Sequence, residues 1–415
     1  MRRWSVALAL VVLAAACASA PTAAEPTVLR VILADDWASA PVVGEVIDRF
    51  EREHEGVRVQ IQGSPFSQIP EVVGSAIELD QPHDVAHWHA FAAAAAGIAE
   101  PLDGRWQEAG LTRAEYLPGA YEHVVWDGGV YGVPLDVNAL VLMANVEQLD
   151  EAGLDAFALA NIDDFRASAD TLVGASSAEH AITVTASSWA AYGWIVANGG
   201  SLVELQPDGT PRFTFDDPRT VAALELLAGL VRDGGSPPPF APDLSLDAIA
   251  QFATGEVALH ASGSWDLPIT RRALQEEMEV RDVQVLPLPQ SDPSAPRTVL
   301  GGSSLFVPVG APNPDLAFEL MLALTEDTVA LQLAAQEGRL PARTRVYEAE
   351  LFTTSADLAA FVALLDTAEV MPLIAYPEVA TAFRDGLEDM LALRASAAEA
   401  MEQVQRQAER WGAGT

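Results

Sequence analysis

Short β-branched segments alternate with amphipathic helical segments through the first quarter of this chain. Strand patterns occupy residues 28–33, 57–61 and 84–86, and helical patterns at 41–53, 69–79 and 90–98 follow them in turn. Strands that alternate with helices are typical of a parallel sheet covered by helices on both faces. The alternation therefore predicts an α/β fold.

The same two patterns continue further along the chain, although the last third is mostly helical. Strands are predicted at 181–184, 256–259 and 283–286, and helices at 157–172, 218–231, 314–324, 327–336, 355–365 and 376–411. We expect the last of these helices to be divided near Ala395. With 415 residues and an apolar content of 50%, the chain is long enough for two or three domains.

The charge balance makes nucleic acid a poor partner. The chain has 59 Asp and Glu residues against 23 basic residues, all of them arginine, which gives a formal net charge of −36. A nucleic-acid backbone binds a basic surface, and this surface would repel it. Since salt screens the repulsion between like charges, a source in salty or alkaline water is one hypothesis for this composition.

The N-terminus has the pattern of a secretory signal. Arg2 and Arg3 precede an apolar run over residues 4–16, which is too short to span a bilayer as a helix. We therefore predict a signal peptide over residues 1–16 and export of the protein. Twin-arginine export is an alternative route suggested by the paired arginines alone.

The single cysteine, Cys17, stands at the end of the apolar run. The sequence Leu13-Ala14-Ala15-Ala16-Cys17 resembles a bacterial lipobox, although Ala14 occupies the place where leucine is preferred. We predict that Cys17 is lipidated, that residues 17–26 form a tether, and that the protein is anchored to the outer face of the cell membrane. Ordinary cleavage after Ala20 is the alternative, and a lone cysteine allows no internal disulfide.

Four stretches rich in glycine, proline and aromatic residues follow one another along the chain. The first runs from Asp84-Val85-Ala86-His87-Trp88 through Pro101-Leu102-Asp103, and the second from Tyr131-Gly132-Val133-Pro134 through Asn145. The third runs from Phe252 through Gly263-Ser264-Trp265. The fourth combines Leu300-Gly301-Gly302-Ser303 with residues 313–319 and Gly338-Arg339-Leu340-Pro341. Together and in this order, they resemble the solute-binding proteins of ABC importers. The similarity is to the sugar-binding family that includes maltose-binding protein.

The resemblance implies a type II periplasmic-binding-protein fold, in which hinge strands join two α/β lobes around a ligand cleft. It implies an N-terminal lobe of residues 27–138 and 304–345 and a C-terminal lobe of residues 139–303 and 346–415. The expected function is capture of an extracellular sugar or oligosaccharide by cleft closure, followed by delivery to the membrane subunits of an ABC permease. The family is not enzymatic, so we expect no cofactor or metal, and we expect a monomer.

Aromatic rings stack on the C–H face of a sugar, and carboxylates and amides bind its hydroxyl groups. The resemblance places residues of these types in the cleft, together with a glycine and a serine of the hinge strand expected near residues 300–305. They are Asp36, Trp37, Trp88, Asp136, Asn138, Trp189, Tyr192, Trp265, Gly302, Ser303 and Tyr376. Helix capping for Asp36 and hinge structure for Asn138 and Gly302 are the ordinary alternatives. Trp189 and Tyr192 are three residues apart and share a helical face, whereas Trp194 is predicted to lie in the core.

The sequence leaves the ligand open. A secreted hydrolase could use Asp35 or Asp36 with Asp136, but the chain lacks a Gly-x-Ser-x-Gly elbow and an HExxH helix. His83, His87 and His89 could bind a metal, although their spacing suits neither one helix face nor one strand face. A polyamine would suit the negative charge and is the second candidate ligand. A glycerol-phosphate ligand would require arginines in the cleft.

Overall fold

The computed structural model describes residues 26–239, 245–277 and 283–412. The predicted signal peptide, Cys17 and all of the predicted tether except Pro26 lie outside the described residues. Within the described ranges, no helix combines the length and apolar character needed to cross a membrane.

The strands are short and spread over the whole described chain. They are β1 (Thr27–Ala34), β2 (Val57–Ser64), β3 (Val85–Trp88), β4 (Val125–Trp126), β5 (Gly129–Val130), β6 (Gly132–Ala139), β7 (Val141–Asn145), β8 (His180–Ile182), β9 (Val203–Leu205), β10 (Pro211–Phe213), β11 (Val257–Ser262), β12 (Val283–Leu286), β13 (Thr298–Phe306), β14 (Leu340–Pro341) and β15 (Ala368–Val370).

The helices lie between and after these strands. They are α1 (Asp35–Ser39), α2 (Pro41–Glu53), α3 (Ile69–Glu78), α4 (Ala90–Ala95), α5 (Asp103–Glu108), α6 (Pro118–Glu122), α7 (Val146–Ala152), α8 (Ile162–Ala175), α9 (Ser188–Ala197), α10 (Pro218–Arg232), α11 (Ser245–Ala253), α12 (Asp266–Glu277), α13 (Pro314–Leu324), α14 (Asp327–Glu337), α15 (Glu350–Thr354), α16 (Ala356–Leu365), α17 (Pro377–Leu391) and α18 (Ala397–Gly412). The interval between α17 and α18 confirms the predicted division near Ala395.

A seven-stranded sheet contains the strands of the first quarter of the chain. Its order is β14-β6-β13-β3-β1-β2, and β15 pairs with β13. Strand β1 is parallel to both β2 and β3, so the predicted α/β alternation is confirmed. Helix α2 shows how the apolar spacing predicts a helix that packs on the sheet. Its apolar residues recur at helical spacing and are all buried: Val42, Val43, Val46, Ile47 and Phe50. The carboxyl ends of the parallel strands therefore meet at one edge of this sheet.

A four-stranded sheet, in the order β12-β7-β11-β8, forms the centre of the second lobe. Strand β7 is antiparallel to β11 and β12, while β8 is parallel to β11. Buried residues of α8, α9, α10, α17 and α18 belong to the same hydrophobic core as Leu142 and Ala144 of β7. The described chain therefore has the mixed α/β, two-lobed architecture that the motifs predict.

The chain passes between the two sheets at two adjacent places. A single residue, Leu140, separates β6 of the first sheet from β7 of the second, and the return lies between β12 and β13. The passages are bonded to each other, because the Leu140 amide donates to the Val299 carbonyl (3.3 Å) and the Thr298 hydroxyl donates to the Leu140 carbonyl (2.7 Å). The exact lobe boundaries, 27–138 with 304–345 and 139–303 with 346–415, stay a prediction.

Candidate ligand-binding cleft

The polar residues predicted on the crossing strands lie side by side. Strands β6 and β13 are antiparallel, with Asn138 opposite Gly301 and Asp136 opposite Ser303. The Ser303 hydroxyl donates a hydrogen bond to Asp136 Oδ1 (2.6 Å). Gly302, between the two pairs, has a φ of +138°, a conformation that glycine alone adopts readily. The crossing strands therefore bring four of the predicted positions together.

Two side chains that border Gly301 each carry a polar atom that is buried without a hydrogen-bond partner among the described residues. The two atoms are the amide oxygen Oδ1 of Asn138 and the indole nitrogen Nε1 of Trp189. A β-carbon built on Gly301 would lie 2.0 Å from Asn138 Oδ1 and 2.9 Å from Cζ2 of Trp189. Both side chains therefore pack closely against Gly301. One buried acceptor and one buried donor, on two side chains that border Gly301, are therefore unused.

Trp265 completes this group from the loop that follows β11. Its ring centroid is 5.5 Å from that of Trp189, at an interplanar angle of 47°. The Trp265 ring can take this position only because residue 263 is glycine, since a β-carbon there would lie 2.0 Å from the ring. A β-carbon on Gly338 would likewise lie 2.3 Å from the Ser264 carbonyl oxygen. The loop after α14 thus touches the loop that carries Trp265.

Arg339 connects the predicted acidic residues. Its guanidinium forms an ion pair with Asp36, approaches Asp136 Oδ2 at 3.6 Å, and lies 5.7 Å from the centroid of the Trp37 ring. Burial raises the pKa of Asp136 to about 6, against hydrogen bonds from Ser303 that lower it. Burial also lowers the pKa of Arg339 to about 10, where it is still protonated at neutral pH. Sequence reasoning noted Arg339 only as part of a motif and did not assign it to the cleft.

Three of the predicted aromatic contacts are packed into the protein. Trp37 is 4% exposed and meets His87 edge-on, with ring centroids 5.4 Å apart. Tyr192 is 2% exposed, and burial raises the pKa of its hydroxyl. Tyr376 meets Phe213 and Trp411 edge-on, at 5.7 and 5.5 Å. Trp88, at the end of β3, is half-buried, and Trp194 is buried in the second core as predicted.

Three histidines, His87, His89 and His123, form what we call the imidazole cluster. His89 and His123 are 5.6 Å apart and edge-on, and the Ala34 amide donates to Nδ1 of His87 (3.2 Å). Burial lowers the pKa of His87 to about 3, that of His123 to about 4 and that of His89 well below its usual value. The cluster is therefore neutral at physiological pH.

His83, His87 and His89, the alternative metal-binding group considered from the sequence, are not grouped as a metal site. His83 lies apart from the imidazole cluster, with Nε2 3.3 Å from Oε1 of Gln62. The part of the chain that the structure describes holds no group of three or more His, Cys, Asp or Glu side chains that could bind a metal ion.

Comparisons with known proteins agree with this architecture. Residues 45–360 match the sequence profile of a family described as bacterial extracellular solute-binding proteins. A relative from Brucella abortus, named only as a binding protein, is 23% identical over 382 residues, which is 90% of each chain. The GacH receptor of Streptomyces glaucescens, studied without ligand and with acarbose, is 21% identical, with a TM-score of 0.80 over 93% of this chain and 98% of the receptor. UgpB from Mycobacterium tuberculosis, in complex with glycerophosphocholine, is 19% identical, with a TM-score of 0.78 over 93% of this chain and 98% of UgpB.

Proposed function

Because this chain belongs to the family of bacterial extracellular solute-binding proteins, we propose that it is the substrate-binding component of an ABC importer and that its ligand is an uncharged sugar or oligosaccharide. Membership of an extracellular family implies export. The ligand binds between the lobes and favours their closed arrangement, since only there does it contact both. The closed form then delivers the ligand to the membrane subunits of the permease. The complex of GacH with acarbose supports a carbohydrate ligand on this fold.

The unpaired atoms beside Gly301 are the observation that carries this proposal. Asn138 Oδ1 can only accept a hydrogen bond and Trp189 Nε1 can only donate one. A hydroxyl group can both donate and accept, so the hydroxyl groups of a sugar can satisfy both atoms. An ammonium group donates to Asn138 but leaves the indole N–H without an acceptor. The neighbouring rings of Trp189 and Trp265 offer the apolar faces on which a sugar ring stacks.

The charges of the cleft support an uncharged ligand over the alternatives. A polyamine would use Asp36 and Asp136, but both carboxylates already face Arg339. A glycerol-phosphate ligand would use Arg339, which already faces those two carboxylates. A hydrolase would need one carboxylate as acid and the other as base or nucleophile, whereas these two share a guanidinium. We therefore propose binding without catalysis.

The ligand contacts follow from where the predicted residues lie. We propose that Trp88, Asn138, Trp189 and Trp265 contact the ligand directly. Asp136, Gly302 and Ser303 shape the crossing strands beneath it, and Asp36 acts through Arg339. Trp37, which lies beside Arg339, and Tyr192, on the same helix as Trp189, support these residues from within the packed lobes. Tyr376 packs against Phe213 and Trp411 and is assigned no role at the ligand.

Replacing Trp265 tests the carbohydrate proposal. Mono- and oligosaccharides are screened against the exported form by thermal shift, and a binding sugar is then titrated by calorimetry. We expect Trp265→Ala to weaken that sugar about 10- to 100-fold, because one stacking face of about 1.5–3 kcal/mol is lost. Trp411→Ala is the matched control, since Trp411 packs against Phe213 and Tyr376. Equal weakening by both variants, or no sugar binding at all, contradicts the proposal.

Lipidation of Cys17 is tested separately from ligand binding. We propose that the exported protein begins at Cys17 and is held at the membrane by acyl chains. Expressed in a bacterial host, the wild-type protein is expected in the membrane fraction with a lipid-modified N-terminus by mass spectrometry, and Cys17→Ser in the soluble exported fraction. An unmodified N-terminus at Pro21 in the wild type would instead indicate ordinary cleavage after Ala20.

A further inference from the structure

Arg339 stands at the centre of the charged groups of the cleft. Its side chain is 17% exposed, and the guanidinium faces a half-exposed carboxylate, Asp36, and a buried one, Asp136. Asp36 lies on α1 directly after β1, and Asp136 lies on β6. One cation thus links carboxylates from two separate elements. The planar guanidinium suits this bridging position, because it offers several N–H donors in fixed directions.

The Arg339 position is tied to the proposed ligand site by backbone contact. The preceding residue, Gly338, lies against the Ser264 carbonyl, which is next to Trp265 in sequence. On its other side, Asp136 accepts from Ser303 of β13, the strand that also carries Gly301. The backbone on both sides of this charged group is therefore continuous with the segments that carry Trp265 and Gly301.

We propose that Arg339 is a specificity-determining residue that keeps the cleft selective for uncharged ligands by neutralising Asp36 and Asp136. The chain has 59 acidic residues and a net charge of −36, so its surface attracts cations at long range. Without Arg339, two carboxylates beside the ligand would offer a cation a local binding site. With Arg339, the same carboxylates are occupied, and a cation entering the cleft gains little. This inference rests on the proposed function, since it concerns which ligand the same cleft accepts.

The first test removes the arginine. Spermidine is titrated by calorimetry into the wild type and Arg339→Gln at about pH 8.5, which is above the raised pKa of about 6 of Asp136. We expect spermidine to bind Arg339→Gln at least about tenfold more tightly than the wild type, and the gain to shrink between about 0.15 M and about 1 M salt. Adding Asp36→Asn to this variant should cancel most of the gain.

Two matched variants separate the effect of the Arg339 charge from a general disturbance of the structure. Arg339→Lys keeps the positive charge and should gain no spermidine affinity. Arg343→Gln removes an arginine of similar burial, which faces Glu115 and lies 5.3 Å from the Tyr116 ring, and should also gain none. An equal gain in Arg343→Gln, or no gain in Arg339→Gln, overturns the proposal.

A second test works in the opposite direction and does not depend on the folding of Arg339→Gln. Asp36 is half-exposed, so Asp36→Asn leaves the core intact and frees part of the Arg339 charge. We expect this variant to bind glycerol 3-phosphate several-fold more tightly than the wild type. No change would overturn the role of Arg339. If the wild type binds sugars while none of these shifts occurs, the proposed function stands and this inference fails.

Discussion

Acidification from pH 6.5 to pH 5 is expected to lower the free energy of unfolding by about 2 kcal/mol. The main cause is the imidazole cluster, since burial lowers the pKa of His87 to about 3 and that of His123 to about 4 from an ordinary value of 6.5. Below pH 6.5 the unfolded chain takes up protons that the folded chain cannot, so stability present above pH 6.5 is lost as the pH falls. Because an unfolded imidazole is half protonated at pH 6.5, each group costs about 1.6 kcal/mol between pH 6.5 and pH 5, which is about 3 kcal/mol for the pair.

Asp136 opposes this loss. Its pKa is raised from 3.8 to about 6, so its ionised form is the less stable one in the folded protein. Stability is therefore recovered at Asp136 as the pH falls through about 6, by about 1 kcal/mol at pH 5. His89 acts in the same direction as the other two histidines. The histidines outweigh the carboxyl group because at least two of them take up a proton on unfolding throughout the interval from pH 6.5 to pH 5.

Denaturant unfolding at several pH values measures this effect, with the salt concentration held at about 1 M to screen surface charge. We expect His123→Gln to reduce the dependence on pH by about 1.4 kcal/mol per pH unit. His54→Gln is the control of opposite sign, because hydrogen bonds to Phe50 and Glu319 raise the pKa of His54. That group stabilises the fold below pH 6.5 and loses its contribution as the pH rises. Identical pH profiles for the wild type and His123→Gln would show that the cluster is not the cause.

Replacing Gly302 by alanine should cost about 4 kcal/mol of folding free energy. At its φ of +138° an L-amino acid is strained, and the added β-carbon would lie 2.4 Å from the Asp136 carbonyl oxygen and 2.9 Å from Cα of Val137. Both atoms are backbone atoms of the neighbouring strand β6, so neither can rotate away. The strand pair would have to separate at the place where Asp136 and Ser303 meet.

Gly209→Ala is the matched control for Gly302→Ala. Gly209 has a φ of +84° in the turn between β9 and β10, and a β-carbon there would have no neighbour within 4 Å. This variant isolates the conformational strain and should cost about 1–2 kcal/mol. Thermal and denaturant unfolding of the two variants gives the difference. Equal losses would show that the contact with β6 does not contribute.

The local parts of the fold could be predicted from the sequence. The spacing of apolar residues in α2 and the β-branched runs of β1 and β2 depend on neighbours within a few positions. The break between α17 and α18 also has a local origin, since Leu393 adopts a φ of +57° between them. Such features are set by short segments, so they appear in the sequence as patterns.

The orientation of side chains in the cleft depended on tertiary contacts that the sequence does not display. Trp189 and Tyr192 share a helical face by spacing, but Tyr192 is 2% exposed while the Trp189 ring reaches Trp265. Helix α9 has no polar face that would reveal its orientation, because Ala191 to Ala197 are all buried. Arg339 was missed for a related reason. Its partners Asp36 and Asp136 are some 200 to 300 residues away in sequence, and only the arrangement of β14 beside β6 brings them together.

The hydrogen bonds between the two chain passages have a consequence for motion. Connections that bent independently would let the lobes slide as well as rotate. Here the Leu140 amide and carbonyl are bonded to Val299 and Thr298, and Ala139 is in register with Leu300. These hydrogen bonds tie the two passages together, so we expect them to bend together. The chain also passes from β15 of the first sheet to α17 of the second core, so this third connection must bend with them when the lobes rotate.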